Sequence, residues 1–353
     1  MARELVTMRS GTPRINVGEL VAAVVSGQIA HPIGRASAYR IGYDGVARVL
    51  HGTGGIAINQ RIGDACVGLA SDHTEPGVAL HNNGREIVGP RDGPNDALLT
   101  YACVGNAVHV VSGPCEGRVG LVTGKHGGVN HVLVDFPTEI LRRLRIGDRM
   151  QVLSCGPGMR LLDHPDIDIF NASPALIRRW GLIERDGQLH VPVTHLVPAR
   201  VMGSGLGKNT VWRGDYDIQL ADRQTRERYR LSSLRFGDMV AIVHADARRG
   251  PLYRSEYVTI GVVVHGDSTV SGHGPGVTPL MSGPLRAIRP MHAPQANLAE
   301  IFGVRRAVSP RARRTLIEAT SARLATCPRE RTSMASQSNN AFSRRKQIGS
   351  VRS

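Results

Sequence analysis

The sequence predicts a mainly β protein of the α+β class, built as two β-rich lobes of barrel or sandwich type with a few short helices. Most of its periodic segments are short, rich in β-branched residues and closed by glycine turns. The chain contains 41 glycines among 353 residues, and aromatic residues make up only 4%. Such a composition favours turns and close backbone approaches over large packed rings.

The strand pattern is clearest in one hairpin and five further segments. The hairpin spans residues 38–50, with Asp44-Gly45 in its turn. Further strands are predicted at residues 106–113, 117–128, 131–136, 200–205 and 257–266. An Arg-x-Gly-Asp sequence begins at Arg61, Arg145 and Arg235, each time just before a strand pattern. Glycine and aspartate suit a tight turn, so we interpret it as a recurring turn that leads into a strand.

Three short helices are predicted as covers or connections between the strands. In residues 173–181, Ser173 can cap the helix, Pro174 fits the first helical position and Gly181 follows the end. Residues 137–144 carry Glu139 early and two arginines late, which matches the helix dipole. Residues 94–102 are the third predicted helix.

The chain is predicted to divide into three regions. Residues 12–160 form an N-terminal β-rich domain and residues 161–303 a C-terminal one, because the chain near 156–170 is rich in Gly, Pro and Asp. Residues 304–353 form a basic, disordered tail, because few of them are apolar. Twelve Arg or Lys and two Glu lie in residues 305–353, so ten of the fifteen net positive charges lie there. Any nucleic-acid contact is therefore expected to be weak and to use the tail.

The cysteines and the N-terminal region indicate a cytoplasmic protein. The five cysteines are scattered and form no CxxC pair, which argues against a disulfide framework and fits a reducing compartment. The apolar run at residues 20–25 is too short for a signal sequence or a membrane span. We therefore expect no membrane partner, and a homo-oligomer is left open.

The glycine-rich segment at residues 202–210 resembles a phosphate loop but lacks its pattern. Met202 stands where a Walker loop needs its first glycine, and Asn209 stands where Ser or Thr should follow the lysine. Two interpretations are left, a plain glycine turn or a backbone nest for a carboxylate at Gly203, Ser204 and Gly205.

Titratable residues are concentrated in several other short segments. His73 and Glu75 would face the same side of an extended segment, and Lys125 and His126 lie among glycines. Asp215 with Asp217, and His244 with Asp246, repeat the same spacing. The first pair could instead lie in a solvated acidic turn ahead of Pro76, and His131, at the start of a strand, is interpreted as structural.

Residues 261–277 have the highest density of such groups. We expect a strand that ends at His265, a tight turn at Gly266-Asp267, a second short strand to Ser271, and His273 in a glycine loop. Histidine is the commonest metal ligand and the usual base near neutral pH, so two of them beside Asp267 favour a functional site over isolated structural histidines.

Several of these segments together resemble domain-of-unknown-function family 4438. The resemblance runs in chain order through residues 51–59, 63–78, 122–136, 202–207, 214–218 and 262–278, and it excludes the arginine-rich tail. The family has no assigned activity. A dozen residues around His265 also faintly resemble a glycine-rich stretch of the acetamidase/formamidase group, although its glutamate is absent. That likeness suggests a C–N bond as the chemistry to test.

The leading functional hypothesis is an enzyme that hydrolyses a small amide or related polar molecule. In this hypothesis a divalent metal of unknown identity binds to His73, Glu75, His126, His265 and His273. Asp267 or Asp246 acts as the base, and Lys125 is a further catalytic candidate. Asp215, Asp217 and residues 203–205 contact the ligand. The alternative is a metal-free protein that binds a small ligand through the same loops.

Overall fold

The computed structural model describes residues 12–34, 39–42, 44–49, 52–84, 92–205, 210–268 and 270–304. The predicted disordered tail lies outside these residues except for Val304. Among the described residues, no helix combines the length and the apolar character needed to cross a membrane.

Strands make up most of the regular structure, as predicted. In chain order they are β1 (Ala23–Ile29), β2 (Tyr39–Ile41), β3 (Ala47–Val49), β4 (Ile56–Ala57), β5 (Gly77–His81), β6 (Ala107–Val110), β7 (Val119–His126), β8 (His131–Asp135), β9 (Arg149–Ser154), β10 (Asp168–Ile169), β11 (Ile183–Arg185), β12 (Gln188–Val193), β13 (His195–Pro198), β14 (Tyr216–Asp217), β15 (Met239–Asp246), β16 (Leu252–Val263), β17 (Gly276–Pro284) and β18 (Ile288–His292). The helices are α1 (Gly93–Tyr101), α2 (Thr138–Leu141), α3 (Pro174–Arg179), α4 (Arg223–Arg228) and α5 (Leu298–Ile301), and short 3-10 turns occur at Val17–Glu19, Ala199–Val201 and Leu231–Ser233.

A closed antiparallel barrel forms the N-terminal half. Its six strands follow the order β1-β9-β6-β7-β8-β5, and β1 pairs again with β5 to close the ring, while β4 extends β5 at the edge. Side chains along β9 alternate between exposed and buried, as expected of a strand with one face on a core. Inward-facing residues such as Val108, Val134 and Met150 fill the interior. The predicted barrel of a mainly β fold is thereby confirmed.

A second sheet holds the C-terminal strands. It follows the order β10-β17-β16-β15-β13, with β14 also paired to β17, and a smaller sheet follows the order β11-β12-β18. One apolar cluster contains residues of both halves, including Leu133 of β8 and Ile260 of β16. Thr278 of β17 also hydrogen-bonds the backbone of Lys125 at the end of β7. The division into domains at residue 160 stays a prediction.

The three Arg-x-Gly-Asp segments form the same turn, as predicted. In each, the aspartate side chain accepts a hydrogen bond from the arginine amide three residues earlier, at 2.9 Å for Asp64, 2.8 Å for Asp148 and 2.9 Å for Asp238. The intervening glycines have φ of +91°, +86° and +82°, a conformation in which any other residue is strained. The motif is therefore a structural device.

The local predictions differ from the structure in two places. The predicted helices and the hairpin β2–β3 are present, and Ser173 caps α3 by accepting from the amide of Leu176. Residues 200–205, predicted as a strand, form a 3-10 turn and a loop. The expected hairpin after His265 is also absent from the described residues, because β16 pairs with β17 across a long irregular connection.

Candidate metal centre

Four segments distant in sequence bring six side chains together. We call this cluster the histidine–aspartate centre. It consists of His73, His126, Asp215, Asp217, His265 and His273. The topology explains the convergence, since β14 pairs with β17 and thereby places Asp217 opposite Gly276, just beyond the loop that carries His273. His265 directly follows β16, the other neighbour of β17. All six residues are among the site candidates predicted from the sequence.

His126 is held from behind by a buried carboxylate. Its Nδ1 lies 2.6 Å from Oε1 of Glu75, and Nδ1 of His131 lies 3.0 Å from the other oxygen of the same carboxylate. The amide of Gly54 also donates to Glu75. Burial would raise the pKa of the Glu75 carboxyl, but the two imidazoles outweigh it and hold that pKa well below its usual range. Glu75 therefore orients His126 and leaves the Nε2 atom available.

His265 has the same arrangement with a backbone acceptor. Its Nδ1 donates to the carbonyl of Gly266 at 2.9 Å, so in the neutral imidazole Nε2 carries a lone pair. That Nε2 lies 2.8 Å from Oδ2 of Asp215 and 3.5 Å from Oδ1 of Asp217. Both the Nε2 and the Asp215 Oδ2 are buried without a hydrogen bond of acceptable geometry. Two atoms this close need a positive charge between them, either a proton on Nε2 or a metal cation that takes its place.

Gly276 leaves the space beside these two atoms open. A Cβ at this position would lie 1.9 Å from Oδ2 of Asp215 and 2.2 Å from Nε2 of His265. Real atoms do not approach so closely, so only glycine permits β17 to pass this close to Asp215 and His265.

His73 and His273 form the more exposed part of the centre. Nδ1 of His73 lies 2.9 Å from Oδ2 of Asp72, and its Nε2 lies 3.1 Å from Nδ1 of His273. Oδ2 of Asp217 lies 3.9 Å from Nε2 of His73 and 3.2 Å from Nδ1 of His273. The side chain of His273 is 36% exposed, against 1% for His265. The centre therefore opens to solvent on the His273 side.

The carboxylates and imidazoles of the centre shift one another's pKa values. Burial would raise the pKa of the Asp217 carboxyl, yet His265 and His273 beside it lower that pKa overall. Burial would likewise lower the pKa of His265, but Asp215 and Asp217 outweigh it and raise that pKa well above its usual value. For His73 burial prevails and the pKa falls. The two buried aspartates thus create a strongly negative potential that attracts positive charge.

The donor atoms form two groups of metal-ligating geometry. We call His126, Asp215 and His265 the inner group, and His73, Asp217 and His273 the outer group; within each, the ligating atoms lie within 4.8 Å of one another. Three of the imidazoles are fixed at Nδ1 by a carboxylate or a carbonyl, which is how proteins orient histidines that bind metals through Nε2. Imidazole and carboxylate donors suit zinc and other first-row divalent ions.

Two predicted site residues, Glu75 and Asp267, hold histidines of the centre in position. Glu75, expected as a ligand, instead accepts hydrogen bonds from His126 and His131. Asp267 accepts the amide of His73 through its backbone carbonyl, which holds His73 at a φ of +50°. Burial raises the pKa of the Asp267 carboxyl to about 6. Its role as a base stays a prediction.

Asp246 and Lys125 are engaged elsewhere. Asp246 accepts a two-pronged hydrogen bond from Arg248 and a further bond from Arg254, each at 3.0 Å. The ammonium of Lys125 is buried and donates to the Asn171 side chain and the Trp212 carbonyl, both at 2.6 Å, and burial lowers its pKa to about 8. These contacts argue against the predicted catalytic roles, because each charged group already has its partners.

Two of the three amides of the predicted carboxylate nest at residues 203–205 are occupied. The amide of Gly203 donates to the backbone carbonyl of Asp217, and the amide of Ser204 donates to that of Gly272. The amide of Asp217 in turn donates to the Ser204 carbonyl. Gly205 has a φ of +91° and turns the chain next to Tyr216. This segment therefore positions Asp217, and the plain-turn interpretation fits better.

Two contributors to the site were not among the predicted site residues. Asp72 lies behind His73, and His131 shares Glu75 with His126. Asp72 directly precedes His73, and this adjacency was a usable signal in the sequence. The second pairing depends on β7 and β8 lying side by side, since His126 and His131 are opposite each other in the register.

Comparison with known proteins agrees with the resemblance noted in the sequence. The family model described as "Domain of unknown function (DUF4438), N-terminal" matches residues 39–178, and its C-terminal counterpart matches residues 179–302. A solved structure titled "Crystal structure of TM1086" is 40% identical, covers 83% of this chain and 99% of its own, and superposes with a TM-score of 0.76. No curated protein matches the chain. The chain belongs to the DUF4438 family, whose two domains it carries in order.

Proposed function

We propose that this protein is a metal-dependent hydrolase that cleaves a C–N bond in a small amide or related polar molecule. One observation carries the metal assignment: His73, His126 and His265 are each fixed at Nδ1, and the Nε2 atoms of His265 and His73 face the carboxylates of Asp215 and Asp217. Asp215 and Asp217 raise the pKa of His265, so its Nε2 carries a proton in the absence of metal, and a bound ion would replace that proton.

The inner group supports the assignment most strongly. Its side chains are almost fully buried, and Oδ2 of Asp215 and Nε2 of His265 have no hydrogen bond of acceptable geometry among the described residues. A bound divalent ion accepts electron pairs from both atoms and from Nε2 of His126. The same ion neutralises the repulsion between the neighbouring carboxylates of Asp215 and Asp217.

The proposed chemistry follows from what such an ion supplies. A divalent ion with an open position polarises a carbonyl oxygen and lowers the pKa of a bound water towards neutrality. Around it, Glu75 and Asp72 orient the imidazoles, while Asp267 is the candidate to accept a proton from water. Its Oδ1 has no hydrogen-bond partner among the described residues.

The opening on the His273 side sets the kind of substrate. The mouth is lined by imidazole and carboxylate groups, which favours a small polar molecule over an apolar one. The metal-free alternative loses its main support, because the amides of Gly203 and Ser204 already have backbone partners. Cytoplasmic location, a homo-oligomer and weak nucleic-acid contact through the tail stay predictions.

Elemental analysis combined with an amide assay tests the proposal. The protein should be purified without a metal-affinity step, analysed for first-row metals, and assayed for ammonia release from formamide, acetamide and related amides. We expect bound metal, activity lost on chelation, and activity restored by a divalent ion. Asp246→Asn is the matched control, since it removes a buried carboxylate outside the centre. A folded, metal-free protein that cannot be loaded with any divalent ion would overturn the proposal.

A further inference from the structure

The carboxylate of Asp217 faces both groups of the centre at once. Its Oδ1 lies 3.5 Å from Nε2 of His265 in the inner group. Its Oδ2 lies 3.2 Å from Nδ1 of His273 and 3.9 Å from Nε2 of His73 in the outer group. A carboxylate placed in this way, with one oxygen towards each set of imidazoles, has the geometry of a bridging ligand.

The spacing of the outer donors fits a metal ion of its own. Metal–ligand bonds of about 2.0–2.1 Å in a tetrahedral site put neighbouring donors about 3.3 Å apart. The three outer separations are 3.1 Å for His73 Nε2 to His273 Nδ1, 3.2 Å for His273 Nδ1 to Asp217 Oδ2, and 3.9 Å for His73 Nε2 to Asp217 Oδ2. They scatter around that value, so an ion fits with small side-chain shifts.

A single ion would leave some of the donor atoms of the centre unused. Four imidazoles and two aspartates exceed the four ligands of an ordinary zinc-type site, and they separate into two sets of three. Each group also has a carboxylate that contacts Nδ1 of one of its histidines, Glu75 at His126 in the inner group and Asp72 at His73 in the outer group. Each set therefore has its own carboxylate-oriented histidine.

We propose that the centre binds two divalent ions, the second held by His73, Asp217 and His273 and bridged to the first by Asp217. This inference rests on the proposed metal site and adds that the site holds two ions. Paired ions in hydrolases lie about 3.5–4 Å apart and hold a water and the substrate oxygen between them. The outer ion is the solvent-facing one, so a substrate that enters past His273 meets it first.

Manganese loading with electron paramagnetic resonance tests the second site. The chelated full-length protein is titrated with Mn²⁺, the bound metal is counted, and the spectrum is examined for exchange coupling between neighbouring ions. We expect about two equivalents and a coupled spectrum, in line with a two-metal site. His273→Ala, at the exposed mouth, should retain about one equivalent with an uncoupled spectrum. His292→Ala, an exposed histidine on β18, is the control and should behave as the wild type.

The outcomes separate this inference from the proposed function. A single uncoupled ion in the wild type, lost neither in His273→Ala nor in the control, would overturn the second site and leave the inner metal site standing. Two coupled ions that persist in His273→Ala would overturn the assignment of the outer ligands. A folded wild type that binds no Mn²⁺ or Zn²⁺ would overturn both proposals.

Discussion

Two buried aspartate sites in this molecule look alike in sequence and differ in how their charge is compensated. Asp246, two residues after His244, meets the guanidinium groups of Arg248 and Arg254, each at 3.0 Å. Asp215, two residues before Asp217, meets the Nε2 of His265 at 2.8 Å without a hydrogen bond of acceptable geometry. The first carboxylate has permanent cations from the chain, whereas the second faces a histidine whose Nε2 proton a metal ion can replace.

This difference distinguishes a structural charge network from a ligand site. Arginine is always protonated, so the Asp246 network is complete as folded. Imidazoles that donate through Nδ1 can exchange a proton on Nε2 for a metal ion, so the histidine–aspartate centre can take up a cation where the Asp246 network cannot. Changes at the two sites should therefore act on different quantities, namely metal content at the centre and stability at Asp246.

Removing an inner ligand should have the largest effect. In His265→Ala, Asp215 and Asp217 keep their charges but lose the buried nitrogen donor, so metal affinity should fall by more than the roughly 10–100-fold typical of outer-shell changes. Competition with a chromophoric chelator measures the affinity. His265→Ala protein that binds metal as tightly as Asp246→Asn would contradict the comparison.

Removing the metal should lower the melting temperature. An ion present at about a thousand times its Kd stabilises the native state by about 4 kcal/mol, which corresponds to a shift of several degrees. Thermal unfolding with and without chelator should show this shift in the wild type and equally in Asp246→Asn. A melting temperature independent of chelator would mean that the centre is already complete without an ion.

Substituting the carboxylate behind His126 should have a smaller effect. Glu75→Gln keeps the size of the side chain but removes the charge that fixes His126 and His131, so metal affinity should fall by about 10–100-fold. Chelator competition again gives the value. A loss as complete as that of His265→Ala would indicate that Glu75 binds the metal directly, as the sequence analysis had expected.

The Asp246 site should show the smallest effect, confined to stability. Burial would raise the pKa of Asp246, but Arg248 and Arg254 outweigh it and lower that pKa below its unfolded value. Its stabilising contribution is then present above about pH 4 and is lost as the pH falls through the lower folded pKa. In Asp246→Asn this acid-dependent part should be missing from denaturant unfolding curves, while metal content stays unchanged. Loss of metal in this variant would show that the two sites are coupled.

The sequence was sufficient to predict the β-rich fold and the residue types of the centre. Polar density among glycines identified His73, His126, His265 and His273, and the spacing of Asp215 and Asp217 marked both aspartates. The strand pattern and the Arg-x-Gly-Asp turns depend on local residues, which explains why they were predicted correctly.

What the sequence could not predict depends on contacts between distant segments. The imidazole partners of Glu75 and the partners of the Lys125 ammonium come from residues 46 to 87 positions away, so these contacts could not be read locally. The amides of Gly203 and Ser204 are occupied only because residues 217 and 272 lie against them. Asp246 is the exception, because Arg248 follows it closely in the sequence and was a usable sign of a structural pair.

Anomalous diffraction from crystals of the metal-loaded protein tests the central claim most directly. Data collected on both sides of the metal absorption edge should show a peak about 2.0–2.2 Å from Nε2 of His265 and from Oδ2 of Asp215. Nε2 of His126 should lie at a similar distance. A map without an anomalous peak, in which His265 donates a hydrogen bond to Asp215 from Nε2, would contradict it and make the centre a charge network like that of Asp246.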